Sequence, residues 1–122
     1  VIFGADCPAL DAGVIDEAFA LLERSPLVLA PSRDGGYALI GLARLAPSLF
    51  DGLAWSTERV LDQTIERARA LGLGAARLAP LDDVDTGEDV CRLVAEAVTS
   101  GARLGPGTRA ALTELGLLPD AF

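Results

Sequence analysis

Residues 27–42 of this 122-residue chain read LVLAPSRDGGYALIGL. The stretch holds two uncharged apolar runs, Leu27–Ala30 and Tyr37–Leu42, on either side of a turn at residues 32–36. Apolar runs of this length, bounded by turn residues, predict strands that are buried on both faces. Because only a short turn joins them, we expect one of the two strands to run antiparallel to the rest of its sheet.

The pattern of strands and helices extends outward from this hairpin. We predict buried strands at Val1–Ala5 and Ala75–Leu78. Helices should follow the N-caps Asp11, Ser56 or Thr57, and Thr86, and a short last helix should span Thr108–Leu115. Strands that alternate with amphipathic helices predict a three-layer α/β fold with a mostly parallel, mixed sheet. Residues 1–122 then form one domain, in which residues 102–122 are a helical tail.

The composition excludes several classes of function. The chain has 18 acidic and 10 basic residues, a formal net charge of −8, no Lys and no His. Catalytic triads with His, His metal sites and lysine-based chemistry are therefore excluded, and a nucleic-acid partner is not expected. No uncharged run is long enough to cross a bilayer, so no membrane partner is expected. Cys7 and Cys91 match no zinc spacing and suit reduced thiols of a cytoplasmic protein.

Two carboxylates follow predicted strands at the points where chemistry is expected. Asp6 comes directly after the first strand, and Asp85 lies between the fourth strand and a helix. The crevice at the carboxyl ends of the strands is where open α/β sheets bind ligands. Two carboxylates that meet there suit Mg²⁺ or Mn²⁺. The alternative is that both residues only cap nearby backbone amides.

Two further segments are candidates for ligand contacts. In the turn Arg33-Asp34-Gly35-Gly36-Tyr37, the glycines allow positive φ and close approach of the backbone, Arg33 can meet an anion, and Tyr37 offers a ring and a hydroxyl. In Trp55-Ser56-Thr57 the single Trp lies beside a predicted helix N-terminus, so the indole offers a stacking surface and the helix amides offer an anion-binding site. An ordinary hairpin turn and a Trp that fills the core are the alternatives.

Four segments in register resemble one family. They are VIFGADCP at residues 1–8, DGGYALIGL at 34–42, WSTERVL at 55–61 and DVDTGED at 83–89. They look like the bacterial selenodomain-associated transferases, which are similar in fold to molybdopterin and phospholactate guanylyltransferases and to GT-A glycosyltransferases. The resemblance implies the C-terminal part of a GT-A nucleotide-diphospho-sugar transferase fold, since family members begin with a further N-terminal half.

The resemblance also implies roles for individual residues. Asp6 and Asp85 stand at the metal aspartates and carry the catalysis, while residues 34–37 and 55–57 line the acceptor side. The implied activity is metal-dependent glycosyl or nucleotidyl transfer from a nucleotide-activated donor to a small-molecule acceptor. If Val1–Ala5 is a central strand, its open edge predicts a homo-oligomer.

Two other functions compete with this interpretation. A non-catalytic binding or assembly module would keep the fold without the donor site. A phosphatase or phosphotransferase with an Asp nucleophile is disfavoured, because that chemistry usually uses a second acid two positions after the first, where this chain has Pro8, and a Lys, which it lacks.

Overall fold

The computed structural model describes residues 1–101 and 104–119, and within them strands and helices follow the predicted order. The strands are β1 (Ile2–Phe3), β2 (Leu27–Pro31), β3 (Tyr37–Leu42) and β4 (Ala75–Arg77). The α-helices are α1 (Ala12–Leu22), α2 (Val60–Ala70), α3 (Gly87–Ser100) and α4 (Pro106–Glu114), with a 3₁₀ turn at Pro47–Phe50 that the sequence analysis missed. In the predicted tail, residues 102–103 and 120–122 lie outside the described residues.

The four strands form one mixed sheet in the order β1-β3-β2-β4. β3 runs antiparallel to both of its neighbours, and β2 runs parallel to β4. The prediction of one antiparallel strand is therefore confirmed. β1, β2 and β4 share a direction, so their carboxyl ends lie at the same edge of the sheet as the start of β3.

Two hydrophobic cores cover the opposite faces of the sheet and confirm the three layers. On one face, Val28, Ala30 and Leu39 pack with Ala18 of α1. On the other, a second set of buried residues packs with α2 and the 3₁₀ turn: Leu27, Leu29, Ile40, Leu49 and Ala68. β2 lies between the two cores, which explains its continuous apolar run.

Two of the three helices with a predicted N-cap begin at that residue. The Asp11 side chain accepts a hydrogen bond from the Val14 amide at 2.9 Å and begins α1. Thr86 and Asp89 form a reciprocal capping box at α3, as predicted. The prediction of Ser56 or Thr57 as the cap of α2 is wrong, because α2 begins only at Val60.

Other differences have simple physical causes. The first strand is shorter than predicted and is exposed rather than buried, since β1 pairs with β3 alone among the described residues. The last helix starts at Pro106 rather than Thr108, because Pro is well accommodated at a first helical position.

Candidate active site

Three carboxylates meet at the edge of the sheet where β1 and β4 end. Asp6 follows β1, and Asp83 and Asp85 lie in the loop between β4 and α3. Each offers an oxygen, and these oxygens all lie within 4.8 Å of one another. The structure thus brings together the predicted pair, Asp6 and Asp85, and adds Asp83. These three residues are called the acidic triad below.

Asp83 was missed as a site residue although its signal was in the sequence. Asp83-Val84-Asp85 precedes the helix, and in extended backbone alternate residues point the same way. The pattern Asp-x-Asp therefore predicts two carboxylates on one side of the segment. Of these two, only Asp85 is among the residues predicted from the sequence.

Backbone contacts hold the two loops of the triad together. The Val84 amide donates to the Asp6 carbonyl at 2.9 Å. The Cys7 thiol donates to the Asp82 carbonyl at 3.3 Å, and burial raises the pKa of this thiol, so it stays protonated. The triad is consequently fixed by main-chain contacts and does not depend on its own side chains to assemble.

The N-terminus of α3 sets the position of Asp85. The Asp89 carboxylate accepts hydrogen bonds from the backbone amides of Asp85 and Thr86 at 3.0 and 3.1 Å. These two amides lower the pKa of Asp89, so it remains ionised in this role. Asp89 therefore belongs to the helix cap, as the sequence indicated, while Asp85 is left facing the triad.

Negative charge accumulates in the triad. A hydrogen bond with the Asp83 carboxyl, the negative charge of Asp83 and, more weakly, Asp6 raise the pKa of Asp85 to about 6. The ion pairs nearby join Arg33 to Asp82 and Arg92 to Asp89. Among the described residues, these arginines pair with neighbours of the triad, and no ion pair joins them to its own carboxylates, which repel one another.

Arg33, a predicted ligand contact, forms an ion pair with the acidic loop. Its guanidinium lies 3.0 Å from the Asp82 carboxylate, and its amide donates to the same side chain at 3.1 Å. Arg33 thereby fastens the glycine turn, residues 32–36, to the acidic loop. With 59% of its side chain exposed, the ion pair contributes little stability but limits where the guanidinium can point.

The glycine turn packs against the segment before α2. Gly35 has a φ of +89°, which confirms the predicted positive φ, and a Cβ there would lie 2.6 Å from the Glu58 Cα. The amides of Gly35 and Gly36 donate to Ser32 O and Asp34 Oδ1. They are therefore used within the turn and do not reach out to a ligand. The Ser32 hydroxyl and the Gly36 amide lower the pKa of Asp34.

The two remaining predicted segments line one open cleft of about 560 Å³. Its lining residues are Asp34, Gly36, Tyr37, Trp55, Ser56, Thr57, Glu58 and Val60. Trp55 does not fill the core: it is 54% exposed and stacks on Phe50 with ring centroids 6.2 Å apart. The cleft is at the same edge of the sheet as the triad, because Tyr37 begins β3.

The Trp55 segment is held rigidly. The Thr57 hydroxyl donates to the Ala54 carbonyl at 2.6 Å, and the Ala54 amide donates to the Gln63 side chain at 2.8 Å. Ser56 has a φ of +61°, the left-handed region that non-glycine residues rarely adopt. Such backbone persists where surrounding contacts impose it, and it is frequent at binding sites.

Comparisons with known proteins agree with this architecture. A family model described as an uncharacterized protein conserved in bacteria (DUF2064) matches residues 1–57. A crystal structure from Desulfovibrio desulfuricans G20, described provisionally as a nucleotide-diphospho-sugar transferase, is 28% identical with a TM-score of 0.81. The match covers 94% of this chain and 51% of that one. The chain shares that protein's mixed α/β fold. It spans about half of that protein's length.

Two further comparisons complete the description. No protein of curated function matches the chain significantly. Within residues 1–101 and 104–119, no helix has the length and apolar character needed to span a membrane.

Proposed function

We propose that this chain contributes the metal-binding and acceptor side of a divalent-metal-dependent transferase that acts on a nucleotide-activated donor. Its group would be the selenodomain-associated transferases, whose motifs it resembles. The transfer is of a glycosyl or a nucleotidyl group to a small-molecule acceptor. The free thiols of Cys7 and Cys91 suit a cytoplasmic setting.

The single observation that carries this proposal is the convergence of the acidic triad. Three hard oxygen donors within 4.8 Å of one another, on loops fixed by backbone contacts, suit a cation of the Mg²⁺ class. Among the described residues, no ion pair with an arginine offsets their negative charge.

In this proposal Asp6, Asp83 and Asp85 hold Mg²⁺ or Mn²⁺. The cation, when bound, would offset charge that develops on the leaving phosphate. The protein's own part is positional: the Asp89 cap fixes Asp85, and the Val84–Asp6 backbone bond fixes the distance between the loops. Because these groups are ordered before ligand arrives, little reorganisation is needed during reaction.

The cleft between the glycine turn and Trp55 is the proposed acceptor side. Gly36, Tyr37, Trp55, Ser56 and Thr57 line it, together with Asp34. In our proposal, Arg33 and Gly35 shape this wall from behind and do not contact the acceptor.

The second candidate is a non-catalytic binding or assembly module. It is favoured by one observation, the open cleft beside Trp55, which needs no metal to hold a ligand. A module of this kind would keep the fold and the cleft, but its affinity for nucleotides would not depend on a metal.

Binding of nucleoside diphosphates with and without Mn²⁺ separates the two candidates. We expect calorimetry to detect nucleotide binding that requires Mn²⁺ and that is lost in Asp6→Asn and Asp85→Asn. Asp16→Asn, an exposed carboxylate on α1, is the matched control and should bind as the parent does. Nucleotide affinity that is equal in EDTA and in Mn²⁺, or absent in both, would overturn the enzyme proposal.

A further inference from the structure

The cleft between the glycine turn and Trp55 has a distinct charge. Two of its lining residues, Asp34 and Glu58, are carboxylates, and none of the described residues that line it is an arginine. The lowered pKa of Asp34 keeps its side chain ionised. The nearest arginine of the turn, Arg33, is held away by Asp82. An anionic ligand would therefore meet repulsion, whereas a cation would be attracted.

Aromatic surface lies beside these carboxylates. Phe50 stacks on one side of the Trp55 indole, yet Trp55 remains 54% exposed in the cleft. A Trp face is the best aromatic partner for an organic cation. Because the segment 54–57 is tied down by the Thr57 and Gln63 side chains, the indole is presented with little loss of conformational freedom on binding.

Tyr37 belongs to the same lining, and its side chain packs against the hydrophobic core. Its hydroxyl is buried and has no hydrogen-bond partner among the described residues. Buried hydroxyls normally find one. Because this oxygen has almost no accessible surface, the hydroxyl takes no part in the ligand contact inferred below.

We infer that this cleft binds a small organic cation of the quaternary-ammonium class. The cationic head lies over Trp55 between Asp34 and Glu58, where cation–π attraction and the two carboxylates act together. This inference extends the proposed function. Only the identification of the ligand as the acceptor rests on that function. The binding itself requires neither a metal nor a donor.

Fluorescence of Trp55, the only Trp, gives a direct test. The probe is choline, and its neutral isostere 3,3-dimethyl-1-butanol has the same shape without the charge. We expect choline to change the Trp55 emission saturably and to bind about tenfold more tightly than the isostere. A response to choline no larger than that of a matched NaCl titration, or equal affinity for the isostere, would overturn the inference.

Variants locate the site. Asp34→Asn keeps an oxygen for the Ser32 and Gly36 hydrogen bonds, so the turn should survive, and we expect it to weaken choline binding about fivefold. Glu58→Gln should act similarly, whereas Glu17→Gln on α1 is the control and should change nothing. Unchanged affinity in both cleft variants, or tighter binding of glycerol phosphate than of choline, would contradict the assignment.

Choline binding and metal-dependent nucleotide binding can be tested separately, so the two proposals can fail separately. Choline binding should persist in EDTA and in Asp85→Asn, while Mn²⁺-dependent nucleotide binding should not. If choline fails but the metal-dependent binding remains, the ligand class is wrong and the transferase proposal stands. If choline binds and the metal-dependent binding is absent, the transferase proposal fails and the cleft remains a cation site.

Discussion

Asp6, Asp83 and Asp85 repel one another whenever all three are ionised, since their oxygens lie within 4.8 Å of one another. The folded protein holds them together because packing and backbone bonds elsewhere oppose that repulsion. Sites of this kind trade stability for binding. The residue-scale consequences are that removing one carboxylate should stabilise the metal-free protein, and that a cation should do the same for the parent.

We predict that Asp85→Asn raises the melting temperature of the metal-free protein and removes the stabilisation that Mn²⁺ gives the parent. The pKa of Asp85 is raised from 3.8 to about 6 in the folded protein, so the folded state holds this proton more tightly than the unfolded state does. The destabilisation is therefore fully present above about pH 6, shrinks as the pH falls below it, and is absent below 3.8.

Calorimetric melting of both proteins across this pH range measures the effect. The difference in melting temperature should be largest at neutral pH and should vanish in acid. A metal-free Asp85→Asn that is less stable than the parent at neutral pH would contradict the electrostatic account.

Gly35 gives a second prediction at this scale. Gly35→Ala should lower the free energy of unfolding by about 2 kcal/mol or more, because the residue has a positive φ and its Cβ would meet the Glu58 backbone. Gly72→Ala is the matched control, since Gly72 has a φ of +72° but nothing within 4 Å of the added atom. It should lose only about 1 kcal/mol. Urea unfolding measures both, and equal losses would show that the contact with Glu58 is unimportant.

At the scale of elements, the cap at the start of α3 also contacts the site. The Thr86 hydroxyl accepts from the Asp89 amide at 3.2 Å, and the Asp89 carboxylate accepts from the amides of Thr86 and Asp85. The cap that begins the helix is therefore also what orients one carboxylate of the triad. Stability of this helix end and geometry of the site are coupled.

We predict that Thr86→Ala lowers the free energy of unfolding by about 1 kcal/mol, because it removes the N-cap bond. Thr99→Ala, at an exposed position of the same helix where the hydroxyl donates to the Ala95 carbonyl, is the control and should lose less. Thr86→Ser, which retains a capping hydroxyl, should restore most of the loss. If Ser behaves like Ala in urea unfolding, the cap is not what stabilises the end of α3.

Elements with strong local signals were predictable from the sequence. β2 and β3 are uniform apolar runs with a glycine turn between them, and the caps at Asp11 and Thr86 are local hydrogen-bond patterns. α2 starts later than predicted: the Thr57 hydroxyl donates to the Ala54 carbonyl and accepts from the Arg59 amide, but the regular helix begins only at Val60. A threonine that makes such a local turn has the same sequence signal as a helix N-cap, so propensity alone does not separate the two.

The site was predictable in its parts more than in its assembly. The strand-end positions of Asp6 and Asp85 indicated that they meet, and the structure brings them together. The ion pair between Arg33 and Asp82 was not predicted, because it joins positions far apart in sequence. The exposure of Trp55 likewise depends on tertiary packing against Phe50.

For the whole molecule, β1 is the notable feature. Among the described residues it pairs with β3 only, and Ile2 and Phe3 are 73% and 46% exposed. An apolar edge strand with open hydrogen-bonding groups is a site for pairing with another chain. The net charge of −8 opposes random aggregation and favours a specific symmetric contact.

We therefore predict a homodimer that buries the β1 edge, with an interface above roughly 1,000 Å². Light scattering at micromolar concentration should give twice the chain mass. Ile2→Lys should shift the protein to a monomer, while Leu45→Lys, which is exposed elsewhere, should leave the dimer intact. A parent protein that is monomeric across this range would contradict the prediction.

The central claim is that the acidic triad holds one divalent cation, and electron paramagnetic resonance of Mn²⁺ tests it most directly. Titration of the metal-free protein should lose the free Mn²⁺ signal with a stoichiometry of one per chain. Asp6→Asn, Asp83→Asn and Asp85→Asn should each abolish this binding, while Asp16→Asn should bind as the parent does. Mn²⁺ that stays free in the presence of the parent protein, or that binds the triad variants equally well, would contradict the account.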